Sequence, residues 1–189
     1  KIPLKDWLGD KDPFEKVHVD CIGPWTISMY DPGLEKEAKY QIQAMCMIDA
    51  GSHLIEIGLI PTANSYSCAI VFDTQWLCRY PRPSKVGHDN GKEFMGEEFQ
   101  ELLRSYDITP EPTTVKNPTA NALVERANLS IGDQLRIRKF NIEHWEEDAV
   151  HMLQAVAWAL NTTTPSNMPY SPGQLVFGMD MIFRQKVKI

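Results

Sequence analysis

The sequence predicts an α/β domain, a mixed sheet with helices on both of its faces. Three patterns indicate this fold class: polar and apolar alternation from residue 16, helical spacing after residue 64, and short strands that alternate with helices beyond residue 84. The predicted order is β-β-β-α-β-α-β-α-α. A meander followed by alternating strands and helices is typical of a mixed sheet covered by helices.

The first three strands are predicted to form an antiparallel meander. Residues 16–22 alternate in polarity and stop at Gly23-Pro24, a pair that commonly ends a strand. Residues 40–48 and 54–60 are two further β-like runs, joined by a turn at residues 49–52. Because a short turn joins antiparallel neighbours, we expect these runs to lie side by side.

Helices and strands alternate in the next part of the chain. Helical spacing starts after Asn64, which suits an N-cap, and ends at Pro81. The pattern then predicts a strand over residues 84–88, a helix over 96–106 and a last strand over 108–111. These two strands extend the meander into a sheet of five.

Two longer helices follow a predicted loop at residues 113–116. Asn117 suits the cap of the first helix and Pro118 its first turn, and apolar residues recur every four positions over residues 123–135. Residues 145–160 repeat the helical spacing and predict the last long helix.

The chain is predicted to hold one domain with flanking segments. Residues 1–14 are charged and contain prolines, which indicates a linker. Residues 15–162 form the predicted core, and residues 163–189, which contain Pro, Ser and Gly, form an extension that wraps it. Because the chain starts without Met, we expect it to be a piece of a longer protein, with the linker leading from a missing N-terminal domain.

Composition excludes several classes of protein. Hydrophobic residues make up 43% of the chain, which suits a globular domain, and no apolar run is long enough to span a membrane. The polar N-terminus holds no signal peptide, so we expect a protein that is not secreted. The four cysteines form no CxxC pair and lie in apolar contexts, which favours reduced core thiols over a disulfide or a zinc site.

Three carboxylates are placed where they can meet. Asp20 lies near the end of the first strand, Asp89 follows the fourth strand, and Glu125 lies two turns into the helix that starts at Pro118. Strand ends beside a helix can converge on one pocket. Converging carboxylates repel one another unless a cation is present, and Mg²⁺ or Mn²⁺ prefers such oxygen ligands. Two such ions can stabilise the attacking and leaving oxygens of a phosphoryl displacement.

The residues that flank these carboxylates are more informative than their spacing. Thirty-five residues separate Asp89 from Glu125, but two other Asp–Glu pairs of this chain have the same separation. The flanking segments are Val17-His18-Val19-Asp20, His88-Asp89-Asn90-Gly91-Lys92-Glu93-Phe94 and Asn117-Pro118-Thr119-Ala120-Asn121-Ala122-Leu123-Val124-Glu125-Arg126.

With these segments in this order, residues 15–180 resemble the catalytic core of retroviral-type integrases, specifically that of Gypsy-like long-terminal-repeat retrotransposons. The segment Tyr170-Ser171-Pro172-Gly173-Gln174-Leu175-Val176-Phe177-Gly178 is similar to the ending of that group. The resemblance implies an RNase H-like fold with a five-stranded mixed sheet. It also implies two reactions at one site, namely trimming of the 3′ ends of element DNA and joining of those ends to target DNA.

The resemblance implies a role for each matched residue. Asp20, Asp89 and Glu125 would be the catalytic metal ligands for two Mg²⁺ or Mn²⁺ ions, with Asn90 and Glu93 beside them. Water and then a DNA 3′-hydroxyl would be the nucleophiles, so no side chain is needed for that role.

Four residues around this site are predicted to contact DNA: Lys116, Asn121, Arg126 and Asn128. Asn121 and Asn128 lie one turn to either side of the glutamate, and Lys116 lies in the loop before the helix. Some retroviral relatives have phosphate-binding lysines at two positions that are Leu129 and Gly132 here. Other cations could substitute for them or be ordinary helix-end charges: Arg126, Arg136, Arg138 and Lys139.

The resemblance also implies partners and a location. The partners are element end DNA, target DNA, further copies of the chain in a homodimer or higher multimer, and a host chromatin factor, in the nucleus or an intracellular retroelement particle. The net charge of −6 opposes tight DNA binding, so we expect this segment alone to bind DNA weakly. Two alternatives stay open: a domesticated core that is a non-catalytic scaffold or dimerisation module, and an RNase H-like nuclease without joining activity.

Overall fold

The protein is described by a computed structural model that covers residues 12–33, 35–112, 118–166, 168–183 and 186, with the side chains of residues 118–121 left out. Five strands of this part form one sheet in the order β3-β2-β1-β4-β5. The strands are β1 (Lys16–Asp31), β2 (Lys36–Asp49), β3 (Ile55–Ile60), β4 (Lys85–His88) and β5 (Thr109–Pro112). β1–β2 and β2–β3 are antiparallel pairs, whereas β1–β4 and β4–β5 are parallel pairs.

Helices cover both faces of this sheet. They are α1 (Ser65–Phe72), which continues into a π-helical segment (Asp73–Leu77), α2 (Lys92–Met95), α3 (Glu97–Ser105), α4 (Pro118–Ile137), α5 (Trp145–Thr162) and α6 (Pro172–Phe177). Phe72 and Phe99 pack with Val17 and Val86 on one face. On the other face, residues of α4 and α5 pack against β1, β2 and β3. The predicted mixed sheet with helices on both faces is confirmed. No helix in the described ranges has the length and apolarity needed to cross a bilayer.

The prediction that β1 ends at Gly23-Pro24 is wrong, because the strand continues to Asp31. The pairing with β2 shifts register between Ile22 and Trp25, which is a bulge. A bulge accommodates Pro24, which has no N–H for the ladder. Gly23 has a φ of 95°, a backbone conformation that favours glycine. The long β1–β2 hairpin that results was not foreseen.

The helix predicted over residues 96–106 is confirmed as α3, but the separate short helix α2 that precedes it was not predicted. A four-residue helix is too short for a repeating pattern, so sequence periodicity does not detect it. The four cysteines are free thiols, as expected, but Cys78 is exposed and Cys21 is half-buried, so only Cys46 and Cys68 are core thiols.

Side chains of α5 bind the backbone of the edge strand β3. The Ile55 N–H donates to Asn161 Oδ1 (2.9 Å), and Asn161 Nδ2 donates to the Ile55 carbonyl (2.8 Å). Gln154 Nε2 donates to the Ile57 carbonyl (2.9 Å). Because Asn161 is buried, both of its hydrogen bonds are shielded from water.

We expect Asn161→Ala to destabilise the fold by about 1–3 kcal/mol, because it leaves the buried Ile55 N–H and carbonyl without these partners. Urea unfolding monitored by circular dichroism measures the change. His151→Ala is the control, since His151 is an exposed residue of the same helix and its removal should change the free energy of unfolding by about 0.5 kcal/mol or less. Equal effects of the two substitutions would contradict this account.

An ion-pair group joins β1, β4 and β5 at one edge of the sheet. The Glu111 carboxylate contacts the ammonium groups of Lys16 and Lys85, the latter at 2.8 Å. These hydrogen-bonded cations lower the pKa of the Glu111 carboxyl from its usual value to about 2. The carboxylate therefore stabilises the parallel pairing of three neighbouring strands of the sheet, β1, β4 and β5.

The depressed pKa of Glu111 predicts a specific pH dependence. A carboxylate with a lower pKa in the folded state stabilises the fold above its unfolded pKa, near 4.5, and loses that contribution as the pH falls towards 2. Glu111→Gln should therefore flatten the fall in stability between pH 4.5 and pH 2, measured by thermal unfolding across that range. Glu37→Gln, at an exposed position of β2, should keep the wild-type slope.

Candidate active site

Asp20 lies on β1, on the face of the sheet that α4 covers. Its direct partner on β2 is Cys46, which is buried in the core beneath α4 and α5. Ile22, two residues further along β1, belongs to the same core. Because alternate residues of a strand share a face, the half-buried Asp20 side chain lies on this face as well.

The parallel pairing of β1 and β4 aligns Asp89 with Asp20. His18 is in register with Gly87, and Asp20 and Asp89 each lie two residues further along their strands. Asp89 directly follows β4 and is exposed, and its Oδ1 accepts a hydrogen bond from the Gly91 N–H (2.9 Å). Asp20, within β1, and Asp89, directly after β4, therefore lie at the same level of neighbouring strands.

His88 anchors the end of β4 beneath Asp89. Its buried ring packs against Phe94 and Phe99, with ring centroids 5.7 and 6.3 Å away. Its Nδ1 donates to the Asp89 carbonyl (2.6 Å), because a carbonyl oxygen can only accept. His88 thus holds the backbone from which Asp89 projects.

Glu125 of α4 faces Asp20 across a cleft. Leu123 and Ala127 are buried in the core, so the opposite side of the helix carries Glu125 outward. Asp20 and Glu125 line the same cleft of about 430 Å³. The other lining residues are Cys21, Ile22, Gly23, Pro24, Trp25, Val124 and Asn128.

The three predicted carboxylates are thus brought to one region without being equally close. Asp20 and Glu125 share the cleft, whereas Asp89 lies at the adjacent strand end and is not among the lining residues. Within the described ranges, no three acidic, histidine or cysteine side chains already form a group that could enclose a metal ion. The oxygen donors present nonetheless fit the ligand preference of Mg²⁺ or Mn²⁺.

Glu93 lies close to Asp89, across Gly91. A Cβ atom at Gly91 would lie 2.6 Å from Glu93 Oε1 and 2.8 Å from Asp89 Oδ1, so both carboxylates reach the same small space. Contact with Cys68, burial, and the charges of Glu93 and Asp20 together raise the pKa of the Cys21 thiol. Glu93 therefore lies beside Asp89 and close enough to Cys21 to affect its pKa, whereas Asn90 is exposed in the turn.

The predicted DNA-contacting residues are distributed unevenly. Asn128 is half-buried and lines the cleft beside Glu125. Arg126 is exposed but does not line it. Lys116 and the side chain of Asn121 lie outside the described part of the chain.

Sequence reasoning missed one wall of the cleft, which consists of Gly23, Pro24 and Trp25. These residues form the β1 bulge directly after Asp20. The Gly23-Pro24 pair was taken as the end of a strand, although bulges beside functional sites use the same residue types. The sequence signal that could have identified them as part of the site is their position three to five residues after Asp20.

Retroviral polyproteins are similar in sequence to this chain. The Pro-Pol polyproteins of feline foamy virus and simian foamy virus type 3 (strain LK3) are 28% and 26% identical over 169 residues, which is 89% of this chain and 13% of each polyprotein. The Gag-Pro-Pol polyprotein of human T-cell leukemia virus 2 is 31% identical over 86 residues, or 46% of this chain and 6% of the polyprotein. The chain thus spans a small fraction of these relatives. No protein-family model matches it.

A solved structure has the same fold. The catalytic core domain of BIV integrase superposes with a TM-score of 0.61, covering 87% of this chain and 94% of that domain at 15% sequence identity. Fold and sequence relatives together define the class: the resemblance to a retroviral-type integrase catalytic core, with its RNase H-like mixed sheet, is confirmed. These relatives do not test the narrower assignment to the Gypsy-like group, which stays a prediction.

Proposed function

We propose that this chain is the catalytic core of an integrase that performs metal-dependent 3′-end processing and strand transfer of retroelement DNA into target DNA. One observation carries the proposal: Asp20 and Glu125 line a single cleft, and the parallel register brings Asp89 to the neighbouring strand end. The retroviral relatives and the integrase-core fold support it. An exposed cleft suits a long polymeric substrate that cannot be enclosed.

In this proposal Asp20, Asp89 and Glu125 hold two Mg²⁺ or Mn²⁺ ions. When bound, such ions activate the attacking oxygen and stabilise the leaving oxygen of a phosphoryl displacement. The three carboxylates supply the negative charge that fixes the ions, and none of them attacks phosphorus. Water in the first reaction and the DNA 3′-hydroxyl in the second are the nucleophiles. Glu93 and Asn90 position the Asp89 turn.

The DNA contacts are assigned to residues around the cleft. In this proposal Asn128, which lines the cleft, donates hydrogen bonds to DNA near Glu125, and Arg126, which is exposed, contacts a phosphate. Lys116 and Asn121 are assigned to the same role on the family resemblance alone. Amide side chains of this kind position a strand through its backbone without selecting its sequence.

The wider setting follows from the same proposal. Residues 15–162 form the core and residues 163–189 its extension, and residues 1–14 link it to a preceding domain of a Gypsy-like element protein. The working form is a homodimer or higher multimer in the nucleus or an intracellular particle. A host chromatin factor is a further proposed partner.

Glu125→Gln should reduce cutting of DNA that mimics an element end by about a hundredfold or more, because the amide removes a charge from the cleft. Gel assays with labelled DNA and Mg²⁺ or Mn²⁺ measure both cut and joined products. Glu98→Gln, at an exposed position of α3, is the matched control and should keep wild-type activity.

The same assay separates the alternatives. Equal behaviour of wild type and Glu125→Gln would sink the enzyme proposal and favour a domesticated, non-catalytic scaffold. Metal-dependent cutting without any joined product would instead favour an RNase H-like nuclease that lacks strand transfer.

Gly91→Ala should lower the cutting rate about tenfold while changing stability little. The backbone of Gly91 (φ −60°, ψ 146°) suits alanine, but the added Cβ forces the Asp89 and Glu93 carboxylates to shift. Gly33→Ala is a close control, because the Gly33 N–H also donates to an aspartate two residues earlier, Asp31 Oδ1, at 2.8 Å. Gly33 lies in the hairpin turn, so this variant should cut normally. A Gly91→Ala protein with unchanged activity would show that the placement of Asp89 does not matter.

A further inference from the structure

A second, larger groove continues from the active-site cleft. It has a volume of about 1070 Å³ and lies between the outer part of β1 and the end of α4 with the segment that follows it. Pro24 and Trp25 line both the cleft and the groove, so the two adjoin at these residues. We call this depression beyond Trp25 the hairpin groove, because the extended β1–β2 hairpin forms one wall.

The hairpin groove is cationic in a chain that is acidic overall. Arg136, Arg138 and Lys139 line it together with a single carboxylate, Glu143. The Arg138 guanidinium donates to the backbone carbonyl of Asp148 (3.2 Å), which orients it without neutralising its charge. In the described part of the chain no carboxylate forms a salt bridge with Lys139.

The ion pair that Arg136 forms is weak. Arg136 pairs with Asp133 at 2.8 Å, but both side chains are more than two-thirds exposed. An exposed pair of this kind contributes little and exchanges readily for another anion. A phosphate passing along the groove can therefore replace Asp133 as the partner of Arg136.

Aromatic side chains lie among these cations. Tyr30 is 62% exposed on the hairpin wall, Trp25 is half-buried at the junction with the cleft, and Phe140 is half-buried on the opposite wall. Cations that follow a backbone, interleaved with aromatic faces, are the combination that binds single-stranded nucleic acid, since unpaired bases stack on the rings and phosphates meet the charges. A paired duplex offers no free base faces for this stacking.

We propose that the hairpin groove binds an unpaired DNA strand that leads away from the reacting phosphate at the end of the element DNA. This inference rests on the proposed function. Base pairs at a DNA end open more easily than internal ones, because they stack on one side only. Ten residues separate Asn128 in the cleft from Arg138 just after α4, a distance of about 15 Å along a helix, which a few nucleotides of a strand can span.

Binding of labelled oligonucleotides, measured by fluorescence anisotropy without divalent metal, tests the inference. The probes are a blunt duplex and the same duplex with a four-nucleotide single-stranded end. For the probe with the single-stranded end, Arg136→Gln with Lys139→Gln should weaken binding about five- to tenfold. The same double variant should reduce the salt slope of log K by about 1.4, the value for two lost phosphate contacts. Tyr30→Ala should also weaken this probe several-fold.

Matched controls are available for both substitutions. Arg104 pairs with Glu101 as Arg136 does with Asp133, one turn apart on an exposed helix surface, so Arg104→Gln should leave binding unchanged. Tyr66 is 64% exposed on α1, and Tyr66→Ala should also leave binding unchanged. Thermal unfolding of each variant confirms that the fold is retained.

Each other outcome overturns the inference. If the double variant weakens the binding of both probes equally, the groove binds a duplex. If it leaves the binding of both probes unchanged, the groove binds another ligand, such as an acidic peptide. Failure of wild type to bind the tailed probe even at low salt would also reject it. The cutting assay of Glu125→Gln is independent, since this variant should still bind the tailed probe. If the groove variants lose binding as expected but the wild-type protein never cuts DNA, the proposed function alone is rejected.

Discussion

The parallel pairing of β1 with β4 is the constraint on which the candidate site depends. Val17 and Val86 are fully buried partners in this pairing, and the register that they share sets Asp20, within β1, level with Asp89, which directly follows β4. A slip of one residue would turn one of the aspartates towards the opposite face. The packing of two chemically inert valine side chains therefore determines whether the two carboxylates lie on the same face and at the same level.

The position of Glu125 depends on a different contact. Leu123 and Ala127 pack in the same core as Ile22 and Cys46, so α4 is held against the part of the sheet that carries Asp20. The packing of α4 against β1 therefore brings Glu125 to the cleft that Asp20 lines, whereas the position of Asp89 is set by the end of β4.

The sequence was sufficient for the sheet, the long helices and the neighbourhood of the three carboxylates. Periodicity over ten or more residues specifies elements such as α4 and α5, and the flanks of Asp20 and Asp89 carry the resemblance. The sequence did not predict the structure where the same residue type occurs in two different structural settings. Pro24 ends many strands, but here a bulge lets β1 continue for seven more residues to Asp31. The core position predicted for Cys78 is also wrong, because its apolar neighbours in the sequence point inward whereas the Cys78 side chain is exposed.

The distribution of charge resolves the conflict between a net charge of −6 and a DNA substrate. A sum over the chain treats the carboxylates of the cleft and the cations of the hairpin groove as equivalent, although in the proposed function they face different parts of a bound strand. Carboxylates at the reacting phosphate repel DNA until cations neutralise them, so affinity has to come from elsewhere on the surface. The β1 bulge supplies that separation, since it ends the acidic cleft at Trp25 and begins the wall that faces Arg138 and Lys139. The proposed function of an acidic chain therefore requires that the cations that bind DNA lie beyond the carboxylates, as Arg138 and Lys139 do.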